Sequence, residues 1–490
     1  MSCCLKATAS ASKLKKSLFA MTSSPASWIF SASKLFSTPG HKHPGAQGAN
    51  NMKPEDVKWR IIDKPGETFK VHRSIYTDPE IYKAELEEIF EGNWIYVAHD
   101  SQLPNANDYF TTMVGRQPVV ISRDDEGKLH GFINACTHRG AKICRKKKGN
   151  AKNWSCPYHG WVFNPQGEIL DIKSLDTANY PDGFQKSDYN LTPIKVDSYA
   201  GFIFASINTE VQELEDHLAG AKVFMDMFSE QSEQGLEILP GTSVYTHHGN
   251  WKMQAENGVD GYHLDVVHAS YLTLAGMRAK EAAEAAGGDN IKAIQPQNPD
   301  TTGGNYALGN GHVMIWIDIA NFRDRGLGLQ YDSLVERVGE HRAKWMAGRL
   351  RQVMIYPNVI LFDGISTQMR HWRPLSQDET EVTVNCIAPV GEPAESRKRR
   401  LRQYEDFYGA SGLATPDDLT EFDACQEGYY GAKSPWQDFD RGMKSHQMGA
   451  DDDARSIGLE PESSAERAAD ESLYHGEYRQ WVKLLSEGAD

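Results

Sequence analysis

Residues Cys136 to His159 read CTHRGAKICRKKKGNAKNWSCPYH. The stretch holds a Cys-x-His pair, Cys136 and His138, and a Cys-x-x-His pair, Cys156 and His159, with seventeen residues between them. Each pair can put two donors on one metal centre, and the gap lets two loop fingers close on it from opposite sides. Two metal chemistries accept such a set. Zinc takes thiolate and imidazole in a tetrahedron. A [2Fe–2S] cluster takes two thiolates on one iron and two imidazoles on the other. The interior of the stretch favours iron and sulfur, because zinc fingers pair Cys with Cys and His with His along the chain, whereas each finger here carries one of each. A cluster of this kind only moves electrons, so the question is where they go.

Working outward, Val119–Arg123 and Leu129–Ala135 flank the turn Asp124-Asp125-Glu126-Gly127. This predicts a hairpin whose second strand delivers the chain to Cys136. After His159, Trp161–Phe163 and Glu168–Ile172 flank a second turn, Asn164-Pro165-Gln166-Gly167, and Gly201–Ala205 closes the block. Residues 95–210 therefore read as a small β domain presenting the four ligands at the tips of two hairpin loops. Ahead of it, residues 55–94 read as a helical segment: Thr77 or Asp78 caps a helix running to Trp94, with Pro79 at its first position. The basic run Arg145–Lys148 between the ligand pairs is either a docking patch for an acidic electron donor or a solvated loop or subunit contact.

At 490 residues the chain has room for about three domains. With 40% apolar and 24% charged residues it is ordinary for a globular protein. A net charge of -15 argues against general nucleic-acid binding. No apolar run approaches the ~18 residues of a membrane helix. Seven cysteines, an odd number at irregular spacing, argue against a disulfide framework and for a reducing compartment, the cytoplasm or an organelle matrix. Residues 1–54 contain no Asp or Glu and are rich in Ser, Ala and Lys. They read as an organellar transit peptide or as an extension with no folded role and Met52 as the natural start, and stand outside the fold.

Beyond residue 210 the pattern changes. Residues 211–231 are amphipathic. Strands are clearest at Val353–Phe362, Ser366–Arg373 and Glu381–Ala388, and helical stretches at 251–268, 335–350 and 394–410 surround them. Residues 211–490 thus read as a second domain, an antiparallel sheet flanked by helices, and the whole chain as α+β. Ser396–Arg400 reads as a solvated helix face pairing with nearby Glu. The tail after Gly442 is acidic and weakly periodic, with no assignable chemistry.

A second constellation lies in Gln254–His268, QAENGVDGYHLDVVH. On a regular helix Asp260 and His263 share a face. The five-residue step to His268 overshoots one turn by ~140°, so a π-bulge or a break is needed to bring it back. Two histidines alone are weak evidence, but the upstream cluster has nothing yet to reduce. Two His and one carboxylate on one face of an Fe(II) ion leave open positions for O2. A further carboxylate pair, Asp417 and Asp418, follows Pro416 at a helix start. Taken alone it would be a helix cap.

The strings CTHRG and CPYHGW (from Cys136 and Cys156), DGYH-x4-H (Asp260–His268) and the Asp417-Asp418 segment resemble the large (α) subunit of Rieske non-haem iron ring-hydroxylating dioxygenases. The likeness runs from about residue 55 to about residue 485. FEGNWIY (90–96), GRQP (115–118), ENG (256–258) and SGLATPDD (411–418) make it most similar to the benzoate and anthranilate 1,2-dioxygenase group. The resemblance implies an N-terminal all-β Rieske domain and a catalytic domain of helix-grip type. It implies a [2Fe–2S] cluster on Cys136, His138, Cys156 and His159, and a mononuclear Fe(II) on His263, His268 and Asp418, with Asp417 the reserve. Asp260 would be no ligand but a link between the two metal sites.

The resemblance also implies electrons from NADH through a separate flavin and ferredoxin-type reductase, and an aromatic acid that receives both atoms of O2 to give a cis-dihydrodiol. It implies a small β subunit in an α3 or α3β3 assembly, in which His159 of one chain meets Asp260 of its neighbour. Within one chain the two ligand sets are then expected on opposite sides. A Rieske monooxygenase or demethylase would use the same metals, and a non-catalytic Rieske electron carrier would need only the first set. A carboxylate substrate needs a buried cation, and which Arg or Lys supplies it is not legible.

Overall fold

The structure, a computed structural model, describes residues 53–285, 302–319, 322–364 and 367–487. The reading of residues 1–54 falls almost wholly outside them, as does Ser366. Among the described residues no helix is long and apolar enough to cross a membrane.

The helix Pro79–Ala84 is capped by the Asp78 side chain, which accepts from the Glu80 N–H, and continues through the wider turns Glu85–Glu91. The β domain follows. Its four-stranded antiparallel sheet runs in the order Leu129–Ile133, Gln117–Arg123, Asp108–Val114, Lys148–Asn150. A smaller sheet joins Trp154–Ser155, Val162–Phe163 and Ile169–Asp171. Both close on a core of Tyr109, Phe132, Trp154, Phe163 and Leu191 that also takes in Cys136 and Cys156. The two fingers do not both sit at hairpin tips. The Cys156 finger is a hairpin tip, but the Cys136 finger is not. It lies on the connection from Leu129–Ile133 to Lys148–Asn150, at opposite edges of the sheet. Only the local spacing was legible, not the pairing.

The second half is built on a ten-stranded antiparallel sheet. Side chains alternate across it. Met314, Trp316, Val353, Leu361 and Met369 face the helices Ala221–Ser229, Tyr331–Val338 and Glu340–Ala347. Ile315, Met354, Phe362 and Val384 face the other way, towards Trp251–Asn257, Thr415–Tyr429 and Leu473–Glu487. The sheet is larger than the sequence reading. Val353–Phe362 is not one strand. Tyr356-Pro357-Asn358 turns the chain between Arg349–Ile355 and Val359–Asp363, since proline brings no N–H to a ladder. A further hairpin, Gly303–Gly309 and His312–Asp318, folds about Asn310-Gly311, a turn pair that could have been read.

The acidic tail is also part of the fold. Ser463–Ala465 joins the sheet, and Leu473–Glu487 buries Tyr474, Tyr478, Trp481 and Leu485 along one face. The helix Ala394–Gln403 is not simply solvated. Arg397 and Arg400 pair with Glu392, and Ser396 and Arg400 are buried.

Candidate metal centres

The two cysteine fingers fold alike. The Gly140 N–H donates to the Cys136 carbonyl (2.8 Å) and the Gly160 N–H to that of Cys156 (2.9 Å). Both glycines have positive φ, 71° and 75°, a region side chains disfavour, so each loop turns tightly behind its histidine. The fingers then sort their donors by type. The Cys136 and Cys156 thiols meet in the core, and burial, with the second thiol against it, pushes Cys136 up. The His138 and His159 rings meet on the other side, centroids 4.5 Å apart, with Trp161 stacked on His138. Two buried sulfurs opposite two outward imidazoles suit a cluster whose irons take different ligands. His138 is exposed, and Tyr158, beside His159, is 55% exposed. In the intervening basic run Arg145, Lys146 and Lys148 are exposed, and the Lys147 ammonium lies over the Phe110 ring.

The second set comes together through a break rather than a bulge. The helix Trp251–Asn257 stops at Gly258. His263 opens the single turn Leu264–Val267, and His268 closes it before Ala269–Ala285 begins. The first turn of Thr415–Tyr429 brings in the carboxylates. Ligand atoms of His263, His268 and Asp418 lie within 4.8 Å of one another. His268 Nε2 is 3.2 Å and His263 Nε2 3.5 Å from Asp418 Oδ1. Two imidazole nitrogens and one carboxylate oxygen converging on one point fit an octahedral iron with open positions.

The remaining carboxylates stand behind the rings. Asp260 Oδ2 is 3.0 Å from His263 Nδ1, and Asp417 Oδ2 is 3.7 Å from His268 Nδ1. Asp418 thus faces both Nε2 atoms, whereas Asp260 and Asp417 do not. Burial depresses His263, but Asp260 and Asp418 outweigh it and leave it raised. Burial would raise Asp418, but His268 and His263 hold it low. The carboxylates thus favour positive charge between them, either a proton on His263 or, with both imidazoles neutral, a metal cation. Asp260 also accepts the Tyr262 N–H (2.6 Å), and among the described residues no hydrogen bond or ring contact joins it to His159.

Asn257 is a site residue the sequence reading did not single out by role. Its Nδ2 is 3.3 Å from Asp418 Oδ1 and 3.4 Å from His263 Nε2. Its helix is held by a buried polar clamp. Glu85 takes the Lys252 ammonium and both indole N–H groups of Trp251 and Trp481, while Glu256 accepts from the Tyr76 and Tyr478 hydroxyls.

Burial pushes Glu256 up to about 7 despite these donors. Its folded pKa lies above the unfolded value, so its contribution is full below about 4.5 and lost as pH rises through 7. Glu256→Gln should remove a pH-dependent loss on the order of 3 kcal/mol. Thermal unfolding of both proteins across this pH range checks it, and parallel profiles would contradict it.

A cavity opens on the triad, with about 860 Å³ of empty space counting its mouth. Its wall is mostly apolar, from residues such as Leu264, Leu272, Ile315, Phe362 and Phe407, with Asn257 and Asp260 beside the triad and Gln352, Arg370, Tyr271 and Tyr408 as further polar members.

A [2Fe–2S] fold joined to a sheet domain with a two-histidine, one-carboxylate cluster defines a Rieske non-haem iron oxygenase. Residues 93–184 match the Rieske [2Fe-2S] domain, and residues 237–454 the ring hydroxylating alpha subunit catalytic domain. The chain is 44% identical to the toluate 1,2-dioxygenase subunit alpha of Pseudomonas putida, over 85% of this chain and 91% of that one. It is 39% identical to the anthranilate 1,2-dioxygenase large subunit of Acinetobacter baylyi, over 90% and 93%. A naphthalene 1,2-dioxygenase with indole bound shares the fold, with TM-score 0.74 at 24% identity over 90% of this chain and 95% of that one. The chain belongs to the ring-hydroxylating dioxygenase α-subunit family and is an aromatic ring-hydroxylating dioxygenase.

Proposed function

We propose that this chain is the terminal oxygenase component that adds both atoms of O2 to an aromatic carboxylate, benzoate- or anthranilate-like. The observation that carries this reading is the apolar cavity opening on His263, His268 and Asp418, in a chain 39–44% identical to oxygenases named for aromatic acids. In it, residues 55–94 precede the Rieske domain and are not wholly helical, since Ile61–Lys64 and Thr68–His72 form a strand pair that joins Trp436–Asp438, while 95–210 form the Rieske domain and 211–490 the catalytic domain. Cys136, His138, Cys156 and His159 hold the [2Fe–2S] cluster, and His263, His268 and Asp418 hold the mononuclear iron. The cluster supplies electrons, and the iron the place where O2 is activated.

The chain's own residues do the rest. The cavity wall excludes water and orients the ring, Asn257 holds the Asp418 carboxylate, and Asp260 fixes the His263 ring. Electrons come from NADH through a separate flavin and ferredoxin-type reductase. The exposed cluster tip at Tyr158, and exposed Tyr262 (54%) and Val266 (80%) beside the iron site, support contact between neighbouring copies in an α3 or α3β3 assembly with a small β subunit. A heterologous contact of this kind closes into a ring when the rotation between copies allows it. The enzyme acts in the cytoplasm.

The purified protein should carry about three irons and about two acid-labile sulfides per chain. With a compatible reductase and NADH it should convert a benzoate analogue to a cis-dihydrodiol with both oxygens from labelled O2. A singly hydroxylated or demethylated product would assign it to the monooxygenases. Stoichiometric zinc without visible absorbance would overturn the metal assignment.

A further inference from the structure

Among the described residues of the catalytic half, four arginines are buried: Arg349, Arg351, Arg370 and Arg400. Three of them have acids. Arg349 pairs with Asp318 and Asp453, Arg351 with Asp363, and Arg400 with Glu392. Arg370 is 2% exposed, and among the described residues its guanidinium has no ion pair or hydrogen bond. Its Nε is buried without a partner. A guanidinium withdrawn from water without an anion is costly.

The sheet register decides where this charge points. Arg370 lies opposite Ile360 and Val384, on the face that carries Phe362. Its neighbour Met369 packs into the opposite core. The side chain therefore enters the wall of the catalytic cavity, with its guanidinium carbon 5.3 Å from the Phe362 ring centre. Asp418 feels the charge but is turned towards the two imidazoles. Beside it in the wall, Gln352 Nε2 stands 3.4 Å from the Tyr408 hydroxyl.

We infer that Arg370 is the anchor for the substrate's carboxylate and so determines specificity for aromatic acids over neutral arenes. The inference rests on the aromatic-acid reading above and deepens it. The planar fork of Arg370 receives the carboxylate through paired N–H···O bonds. Gln352 and Tyr408 offer further polar contacts, and the apolar wall takes the ring. Anchoring one end of the ring fixes which carbons face the triad.

The test uses calorimetric binding of benzoate and of benzamide, its neutral counterpart, to the iron-loaded oxygenase without reductase. The wild type should prefer benzoate, and Arg370→Gln should weaken benzoate by ~100-fold or more while changing benzamide by much less. Arg370→Lys, which keeps the charge without the fork, should fall between. Equal loss of both ligands, or unchanged benzoate affinity in Arg370→Gln, overturns the inference. If Arg370→Gln does not fold, the wild-type ratio decides alone, and equal affinities overturn it. Wild-type oxygenation of benzoate with an unaltered ratio in the variants removes only the anchor. Oxygenation of neutral arenes with no benzoate binding removes the aromatic-acid reading as well.

Discussion

Replacing His263 by Ala is expected to remove one iron and all ring hydroxylation while leaving the visible spectrum of the cluster intact. Among the described residues His263 supplies one of three donors converging on a point, with its Nε2 3.5 Å from Asp418 Oδ1. Two donors, His268 and Asp418, do not hold a labile divalent ion of this kind well. The cluster ligands belong to another core, in which Cys136 and Cys156 pack with Trp154 and Phe163, so shortening the side chain at residue 263 leaves that core in place. Metal analysis with visible and electron paramagnetic resonance spectra reads both centres at once. Loss of the cluster signal together with the iron would mean that the two sites are not independent.

The second large effect is expected at Asp260. Asp260→Ala should keep both metal centres and abolish coupled turnover, by ~100-fold or more. Removing a carboxylate behind a ligating histidine commonly costs 10–100-fold, and here the same carboxylate is proposed to receive the neighbouring chain's His159. Its position supports that double role. One oxygen lies 3.0 Å from His263 Nδ1, on the side of the ring away from Asp418, and the other accepts the Tyr262 N–H. The test is single turnover: with the cluster pre-reduced, product per reduced cluster should vanish while metal content and benzoate binding persist. Retained single turnover would leave Asp260 with no part in the electron path.

The cluster motif was legible because it is local. Two short ligand pairs, each followed by a glycine that must turn the loop tightly at Gly140 and Gly160, can be read without knowing what lies opposite. The helix at Pro79 was legible for the same reason. The antiparallel sheet is legible but its strands are more numerous than the pattern shows, since Asn310-Gly311 and Tyr356-Pro357-Asn358 are turns whose flanking strands are buried on both faces, buried polar residues included. Buried on both sides, they lack the two-residue alternation that marks a half-exposed strand. The tail helix was missed although Tyr474, Tyr478, Trp481 and Leu485 mark one face. The polar residues between them masked it.

By itself, then, the sequence determined the ligand types, their spacing and the family, because those depend on neighbours a few residues apart. Tertiary structure alone decided which way each group faces. Asp417 and Asp418 are adjacent, yet only Asp418 turns towards both imidazole Nε2 atoms, because the helix start at Thr415 presents successive side chains about 100° apart. The chain breaks after Asn257, and His263 and His268 stand at the two ends of the single helical turn that follows. Arg370 is one of many cations in the sequence. It becomes the one in the cavity wall without an acid because strand register, set by pairing with residues 360 and 384, puts even-numbered positions of its strand on the cavity side.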